Sequence, residues 1–308
     1  MKLARLRFIL WAWVRNLFSV PAITAVLSTF GALWLLVEIT AFFSPSTTVP
    51  DWLRDHWWLF AIGGGAIAAA KCWPRISVAH KLNGRDVTVE IAVGDVFSFP
   101  GALIVGSNTT FDTRVSPNLI AENSIQGTFT KKYFSDETQL DTELVSGLDG
   151  IEAESLPGPR QGKALRYPIG TTVRLNPKGR TAYFVAIADI NEHGVAESSF
   201  EKLQDSLAEL WVYVGSRGLK EPLVMPALGT GFSRLTQTRQ EVVREIVKSF
   251  VAACSERVFA DRLTIVLSPG DMAKYQIPLD ELGVFLRHMC VYTDFSRDSH
   301  HAAGVPVR

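Results

Sequence analysis

Four short segments of this 308-residue chain concentrate the residue types that hold phosphates and sugars. They are Gly94-Asp95-Val96, Gly106-Ser107-Asn108-Thr109-Thr110-Phe111-Asp112, Asn123-Ser124-Ile125-Gln126-Gly127-Thr128-Phe129 and Ala227-Leu228-Gly229-Thr230-Gly231-Phe232. Small residues let backbone N–H groups approach an anion closely, and a helix that starts at such a loop adds a favourable dipole. Two such loops facing each other would clamp a diphosphate. Taken alone, Gly229-Thr230-Gly231 reads equally as a tight turn in which glycine supplies positive φ. Its place between an apolar strand and a long helix favours the phosphate reading.

Covalent and metal chemistry have less to stand on. Cys72, Cys254 and Cys290 are scattered and form no C-x-x-C pair, so neither a zinc site nor a disulfide framework is expected, and the thiols read as buried apolar groups. No nucleophile–base pair stands out. Asp112, Asp189 and His193 are the polar groups on offer to a hydrolase, and His193 reads first as a solvated loop residue. The expectation is no catalytic residue, no metal and no resident cofactor. Lys and Arg number 31, as do Asp and Glu, which argues against nucleic acid held by bulk charge and against an acidic disordered chain.

The elements that would position these loops follow from hydrophobic periodicity. Residues 87–93, 102–107, 183–190, 222–228 and 263–268 read as strands, and 197–218 and 236–257 as helices with apolar spacings of three and four. Strand–helix–strand–helix–strand order predicts a parallel sheet with right-handed crossovers and helices on both faces. Ligands bind such sheets at the carboxyl ends of the strands, where all four segments fall. Residues 135–165 read as an acidic, then Pro- and Gly-rich insertion with one short helix, 280–292 as a final helix, and 293–308 as a flexible tail. Trp211 and Tyr213 read as core. Arg166, Arg174 and Arg180 read as solvated surface, with an anion contact by one of them as the alternative.

The first eighty residues have a different character. Residues 17–37 carry no charge and, as a helix, measure roughly 31 Å, close to the bilayer hydrocarbon core. A second apolar run at 57–73 measures roughly 25 Å, with Gly63-Gly64-Gly65 permitting close helix approach. A cleaved signal peptide would be shorter and would lack the second run. A buried soluble hairpin is the alternative for 57–73. The expectation is a two-helix transmembrane module within 1–80, with spans at about 17–43 and 57–73. Lys2, Arg5, Arg7 and Arg15 precede the first run, and Lys71, Arg75, Lys81 and Arg85 follow the second, which places both termini in the cytoplasm. Glu38 reads as an interfacial carboxylate, with a polar contact between helices or a pore-lining group as the alternative.

VGDVFSFPGALIVGSN at 93–108 resembles the opening of a macro domain, and VMPALGTGFSR at 224–234 is similar to that family's second phosphate loop. YPIGTTVRL at 167–175 and AYFVAIADIN at 182–191 resemble the segment ahead of and along its central strand. The resemblance covers residues 87–292. It implies a three-layer α/β/α domain over 81–292 with a mixed, mostly parallel sheet, and an ADP-ribose derivative as ligand. It assigns Asp95, beside Val96, to the adenine amino group, and Asn108, Thr109, Thr110 and Asp112 to the ribose-facing loop. Ser124, Gln126, Gly127 and Thr128 fall near the distal ribose and diphosphate, and Gly229, Thr230, Gly231 and Phe232 form the diphosphate loop. The family's Asn-Ala-Ala-Asn reads Gly106-Ser107-Asn108-Thr109 here, so one of the two asparagines that position water in hydrolytic members is not matched.

With two spans ahead of it, the whole chain resembles the transmembrane-macro branch of the Thoeris ThsA family of bacterial antiphage effectors. That resemblance implies a bacterial inner-membrane protein and a signal nucleotide made by a TIR-domain partner enzyme. It also implies homo-oligomerisation and membrane disruption leading to cell death. A membrane-tethered ADP-ribosyl hydrolase and an ADP-ribose-binding scaffold are the rival expectations.

Overall fold

Ser19 and Pro21 break the apolar amino-terminal sequence into two helices, because proline lacks an N–H and suits only the first turn of a helix. The computed structural model describes residues 2–43, 52, 55–56, 58–116, 119–158, 162–190, 196–229 and 237–292, with backbone alone for 2–5 and 21. It divides into residues 1–76 and 77–308. In the first unit, α1 (Lys2–Leu17) ends in a turn at Phe18 and Ser19, and α2 (Val20–Phe43) follows, with the Ser19 carbonyl accepting from the amides of Ala22 and Ile23. Within α2, Ala22–Phe43 is long and apolar enough to cross a membrane by length and composition. The expected second span forms α3 (Trp58–Lys71), whose 14 residues measure about 21 Å and fall short of the hydrocarbon core. Gly64 packs toward Thr29, so α2 and α3 lie side by side. The expected first span, begun at residue 17, starts instead at Val20. The basic residues ahead of it belong to a separate helix, α1.

In the second unit, β2 (Thr88–Val93), β3 (Ala102–Asn108), β7 (Ala182–Ile190), β9 (Leu223–Pro226) and β10 (Arg262–Leu267) coincide with the five strands read from periodicity. They are parallel in the order β2-β10-β9-β3-β7. Three antiparallel strands finish the edges: β1 (Ser77–Lys81) on β2, and β6 (Thr172–Leu175) and β8 (Ala196–Glu197) on β7. A separate two-stranded ribbon joins β4 (Glu154–Ser155) to β5 (Leu165–Arg166). Periodicity did not announce β1, whose alternation of exposed and half-buried residues marks a sheet edge.

Helices α4 (Ile125–Tyr133) and α5 (Glu137–Gly147) cover one face, where Phe129, Leu140 and Leu144 pack with Leu103, Val105 and Phe184. The short helix expected within 135–165 is α5, and Leu140, Leu144 and Leu148, at helical spacing, make it part of the core. On the other face lie α6 (Phe200–Arg217) and α7 (Arg239–Glu256). They meet through Trp211, whose indole N–H donates to Ser249 Oγ at 3.0 Å and whose ring packs on Phe250 and Phe259. Tyr213 is half-buried with its ring edge toward Tyr183. After β10 come α8 (Pro269–Tyr275) and α9 (Leu279–Arg287), the latter over β1 with Gly283 against Val78. The result is a three-layer α/β/α arrangement with a mixed, mostly parallel sheet. The expected tail at 293–308 lies outside the described residues.

Candidate functional site

Three of the expected binding segments, Gly94–Val96, Gly106–Asp112 and Ala227–Gly229, follow the carboxyl ends of β2, β3 and β9, and the other, Asn123–Phe129, opens α4. At the end of β2, the Gly94 amide donates to Leu267 O and fixes the chain exit beside β10. Asp95 then caps a single 3-10 turn, Val96–Ser98, with Oδ1 accepting from the Phe97 amide at 3.0 Å. Val96 and Phe97 are buried and Asp95 is half-buried. Asp95 Oδ2 has no protein partner among the described residues, so one acceptor oxygen stays open at the sheet edge.

Arg180 braces that turn from below. Its guanidinium donates to Phe97 O at 3.1 Å, Phe99 O at 2.9 Å, Gly101 O at 3.1 Å and Tyr133 Oη at 2.9 Å. One planar cation thus ties the Asp95 segment to α4. The sequence reading of Arg180 as solvated surface or anion contact gives way to this clamp. Its place directly ahead of the central strand gives no sign of this, because the acceptors come from 97–101 and Tyr133.

The segment after β3 is closed on itself. Asn108, 5% exposed, donates from Nδ2 to Asp112 Oδ2 at 3.0 Å. Its Oδ1 accepts from the Asp112 amide at 3.0 Å and from Thr110 Oγ1 at 3.2 Å. Asp112, 2% exposed, also accepts from Thr110 Oγ1 at 2.5 Å and from the Lys163 amide at 2.7 Å. Gln126 Nε2 donates to Asp112 O at 2.6 Å, which joins the loop to the start of α4. Buried polar groups require such mutual satisfaction. Phe111 is held at φ 49° in the middle of this network with its side chain fully buried and its ring edge-on to Tyr167. A left-handed phenylalanine costs of order 1–3 kcal/mol and persists only where its surroundings over-determine it.

Thr109 belongs to a second group. Its hydroxyl donates to Asp189 Oδ1 at 3.0 Å, and Lys202 Nζ lies 2.7 Å from Asp189 Oδ2. A third group joins Thr113, Asp141 and Lys163: Thr113 Oγ1 donates to Asp141 Oδ1 at 2.9 Å, and Lys163 Nζ lies 2.5 Å from the same oxygen. Lys163, Asp141 and Lys202 were not picked out by motif, because only the tertiary fold brings them to the strand ends. Among the described residues, Ser107 Oγ is buried without a hydrogen-bond partner.

Ser124 caps α4, accepting from the Gly127 amide at 3.0 Å. Gly127 has a steric reason: a Cβ there would meet Ala121 O at 2.5 Å and Glu122 O at 2.8 Å. Thr128 is half-buried one residue on. After β9, Gly229 takes φ 70°, the left-handed region a side chain disfavours. Thr230, Gly231 and Phe232 lie outside the described residues, as does His193. Among the described residues no cluster of three His, Cys, Asp or Glu side chains could hold a metal ion. The thiols of Cys254 and Cys290 are buried, which pushes each up to about 12.

A family model described as the macro domain of Thoeris protein ThsA matches residues 89–268, more than half of the chain. Thoeris protein ThsA of Bacillus amyloliquefaciens (strain Y2) is 26% identical over 163 residues, 51% of this chain and 53% of that protein. The chain thus spans about half the length of the curated relative it matches. Among solved structures, the Oceanobacillus iheyensis macrodomain with MES bound has a TM-score of 0.45 and 18% identity, covering 67% of this chain and 97% of that one. The same macrodomain with ADP has a TM-score of 0.46 and 16% identity, covering 68% of this chain and 98% of that one.

Proposed function

The chain belongs to the Thoeris ThsA macro-domain family, and from that premise we propose that it is a membrane effector of a bacterial antiphage system. Its macro unit binds an ADP-ribose derivative made by a TIR-domain partner enzyme. The observation that carries this reading is the fusion, in one chain, of a family-matched macro unit with a helix apolar enough to cross a membrane. The protein sits in the inner membrane with α2 and α3 as a two-pass hairpin and both termini cytoplasmic, in keeping with the basic flanks on both sides. Because α3 is short, this arrangement requires local thinning of the bilayer or snorkelling by Lys71.

Asp95 supports an adenine contact, since an exocyclic amino group is a donor and Asp95 Oδ2 is an open acceptor. Ser124, Gln126, Gly127 and Thr128 at the α4 start, with Gly229, Thr230, Gly231 and Phe232 after β9, hold the diphosphate and distal ribose. The Asn108–Thr110–Asp112 network acts as the rigid wall between them. Asn108 spends Nδ2 on Asp112, and its Oδ1 accepts two bonds. An asparagine so engaged is poorly placed to orient a water, and this supports a sensor over a hydrolase.

Ligand binding acts by favouring one subunit arrangement, by as much as its affinity for the two states differs. The homo-oligomer so formed disrupts the bilayer. The test is the full chain in dye-loaded liposomes titrated with NAD, ADP-ribose, cyclic ADP-ribose and amino-acid conjugates of ADP-ribose. Leakage with one of these, lost on Asp95→Ala, is expected. Absence of leakage with all of them overturns the reading. Turnover of ADP-ribosylated protein without leakage replaces it with a tethered hydrolase.

A further inference from the structure

Among the described residues, helix α1 carries an apolar face that nothing in its own unit covers. Leu6, Leu10 and Val14 recur every four residues and are exposed, as is Trp11 beside them. The far side and one edge of that row are engaged: Ala12 is buried, Asn16 Nδ2 donates to Cys72 O at 3.2 Å, and at the edge Trp13 Nε1 donates to Ala69 O at 2.9 Å. Those bonds pin α1 beside the carboxyl end of α3. Thr24, Ala25, Ser28, Lys71 and Cys72 line one groove, so the first turns of α2 lie at that same end. Charge here has one sign. Residues 1–37 contain Lys2, Arg5, Arg7 and Arg15 and no acid, and Lys71 closes α3. Arg7 and Arg15 are exposed, and the Arg15 guanidinium lies 4.7 Å over the Trp11 ring. A helix with an apolar row, an interfacial tryptophan and basic flanks suits the boundary between acyl chains and anionic headgroups.

We propose that α1 lies in the plane of an anionic lipid surface. Leu6, Leu10, Val14 and Trp11 sink among the acyl chains, and Arg7 and Arg15 meet the phosphates. This rests on the reading that α2 crosses the bilayer, since the turn at Phe18 and Ser19 leaves α1 where α2 enters it. An in-plane α1 tied to α3 through Trp13 and Asn16 makes the surface charge of the leaflet a determinant of how the hairpin is held.

The experiment uses the full chain in vesicles of phosphatidylcholine alone or mixed with phosphatidylglycerol. An environment-sensitive fluorophore is attached at Leu10→Cys or Leu27→Cys, with the unsubstituted chain as the blank because its three thiols are buried. In anionic vesicles the Leu10 probe is expected to be quenched by lipid-borne nitroxide and not by aqueous iodide. Arg7→Gln with Arg15→Gln reverses this in part, each replacement weakening headgroup association about fivefold. Iodide quenching at Leu10 with lipid quenching at Leu27 overturns the α1 proposal alone. Iodide quenching at both overturns the spanning reading with it. A Leu10 probe reached by neither quencher is covered by protein, which also overturns the proposal. Lipid quenching indifferent to headgroup charge and to both arginines overturns its anionic specificity.

Discussion

The two units use the same apolar side chains in opposite ways. In residues 77–308, Phe129 and Phe184 are fully buried, packed edge to face with centroids 5.1 Å apart. In residues 1–76, Phe18 is 83% exposed and Phe42 79% exposed, among a long series of exposed Leu, Ile, Val and Trp. A water-soluble unit does not leave a series of that size uncovered, because each such residue forgoes about 1.5–3 kcal/mol of burial. The difference teaches that the first unit is built for another solvent or for another protein surface, whereas the second has a core of its own.

The sharpest way to break this comparison is truncation of a phenylalanine in each unit. Phe129→Ala is expected to cost about 4 kcal/mol, read as a drop of about 10 °C in the melting temperature of the second unit. Phe42→Ala in detergent is expected to stay within about 0.5 kcal/mol of the parent. Equal losses would mean that the exposed series in residues 1–76 is buried in the working protein by protein rather than by lipid.

A second contrast lies within the site, between two aspartates that follow β2 and β3, strands separated in the sheet by β10 and β9. Asp112 is buried with Asn108, Thr110 and the Lys163 amide all bonded to its carboxylate, while Asp95 spends one oxygen on the Phe97 amide and leaves the other open. Asp112→Ala strands three donors and is expected to cost about 3 kcal/mol of stability by denaturant titration, whatever it does to binding. Gly127→Ala drives a methyl into two carbonyl oxygens at the start of α4, and about 2 kcal/mol is expected by the same measurement. Asp95→Ala removes only a turn cap, about 1 kcal/mol. It should weaken an ADP-ribose-type ligand at least about tenfold by calorimetry, the worth of a hydrogen bond to a charged group. Asp95→Ala with unchanged affinity would remove the adenine assignment.

The smallest expected effect concerns alkaline pH. Burial raises Cys254 to about 12, well above an ordinary thiol. The folded state therefore holds its proton where the unfolded state has lost it. That contribution to stability is complete below the unfolded thiol's range, around pH 8.5, and is lost as pH rises toward 12. Cys254 is expected to resist alkylation by iodoacetamide at pH 8.5 in the native chain and to react in urea, read by mass spectrometry of the peptide that contains it. Reaction in the native chain would mean that α7 opens locally.

Local pattern alone was enough for the five parallel strands, α6, α7 and the long apolar helix, because a strand covered on both faces reads as an unbroken apolar run and an amphipathic helix repeats every three to four residues. It was enough to place Asp95, Asn108 and Gly229 at or just beyond strand ends and Ser124 at the start of a helix. Other features depend on neighbours distant in sequence. β1 alternates only between exposed and half-buried residues, so it carries no apolar signal of its own, and the short helix expected within 135–165 proves to close the core as α5. Arg180 is drawn into a clamp by four groups on two separate segments, 97–101 and Tyr133, and the Asp112 carboxylate that holds Asn108 is itself tied to the Lys163 amide. Spacing determines which residues can form a strand, a helix or a turn in this protein. The tertiary structure decided which polar side chains are consumed in holding the site together and which remain open, because buried donors and acceptors are satisfied by whatever partner the fold brings near.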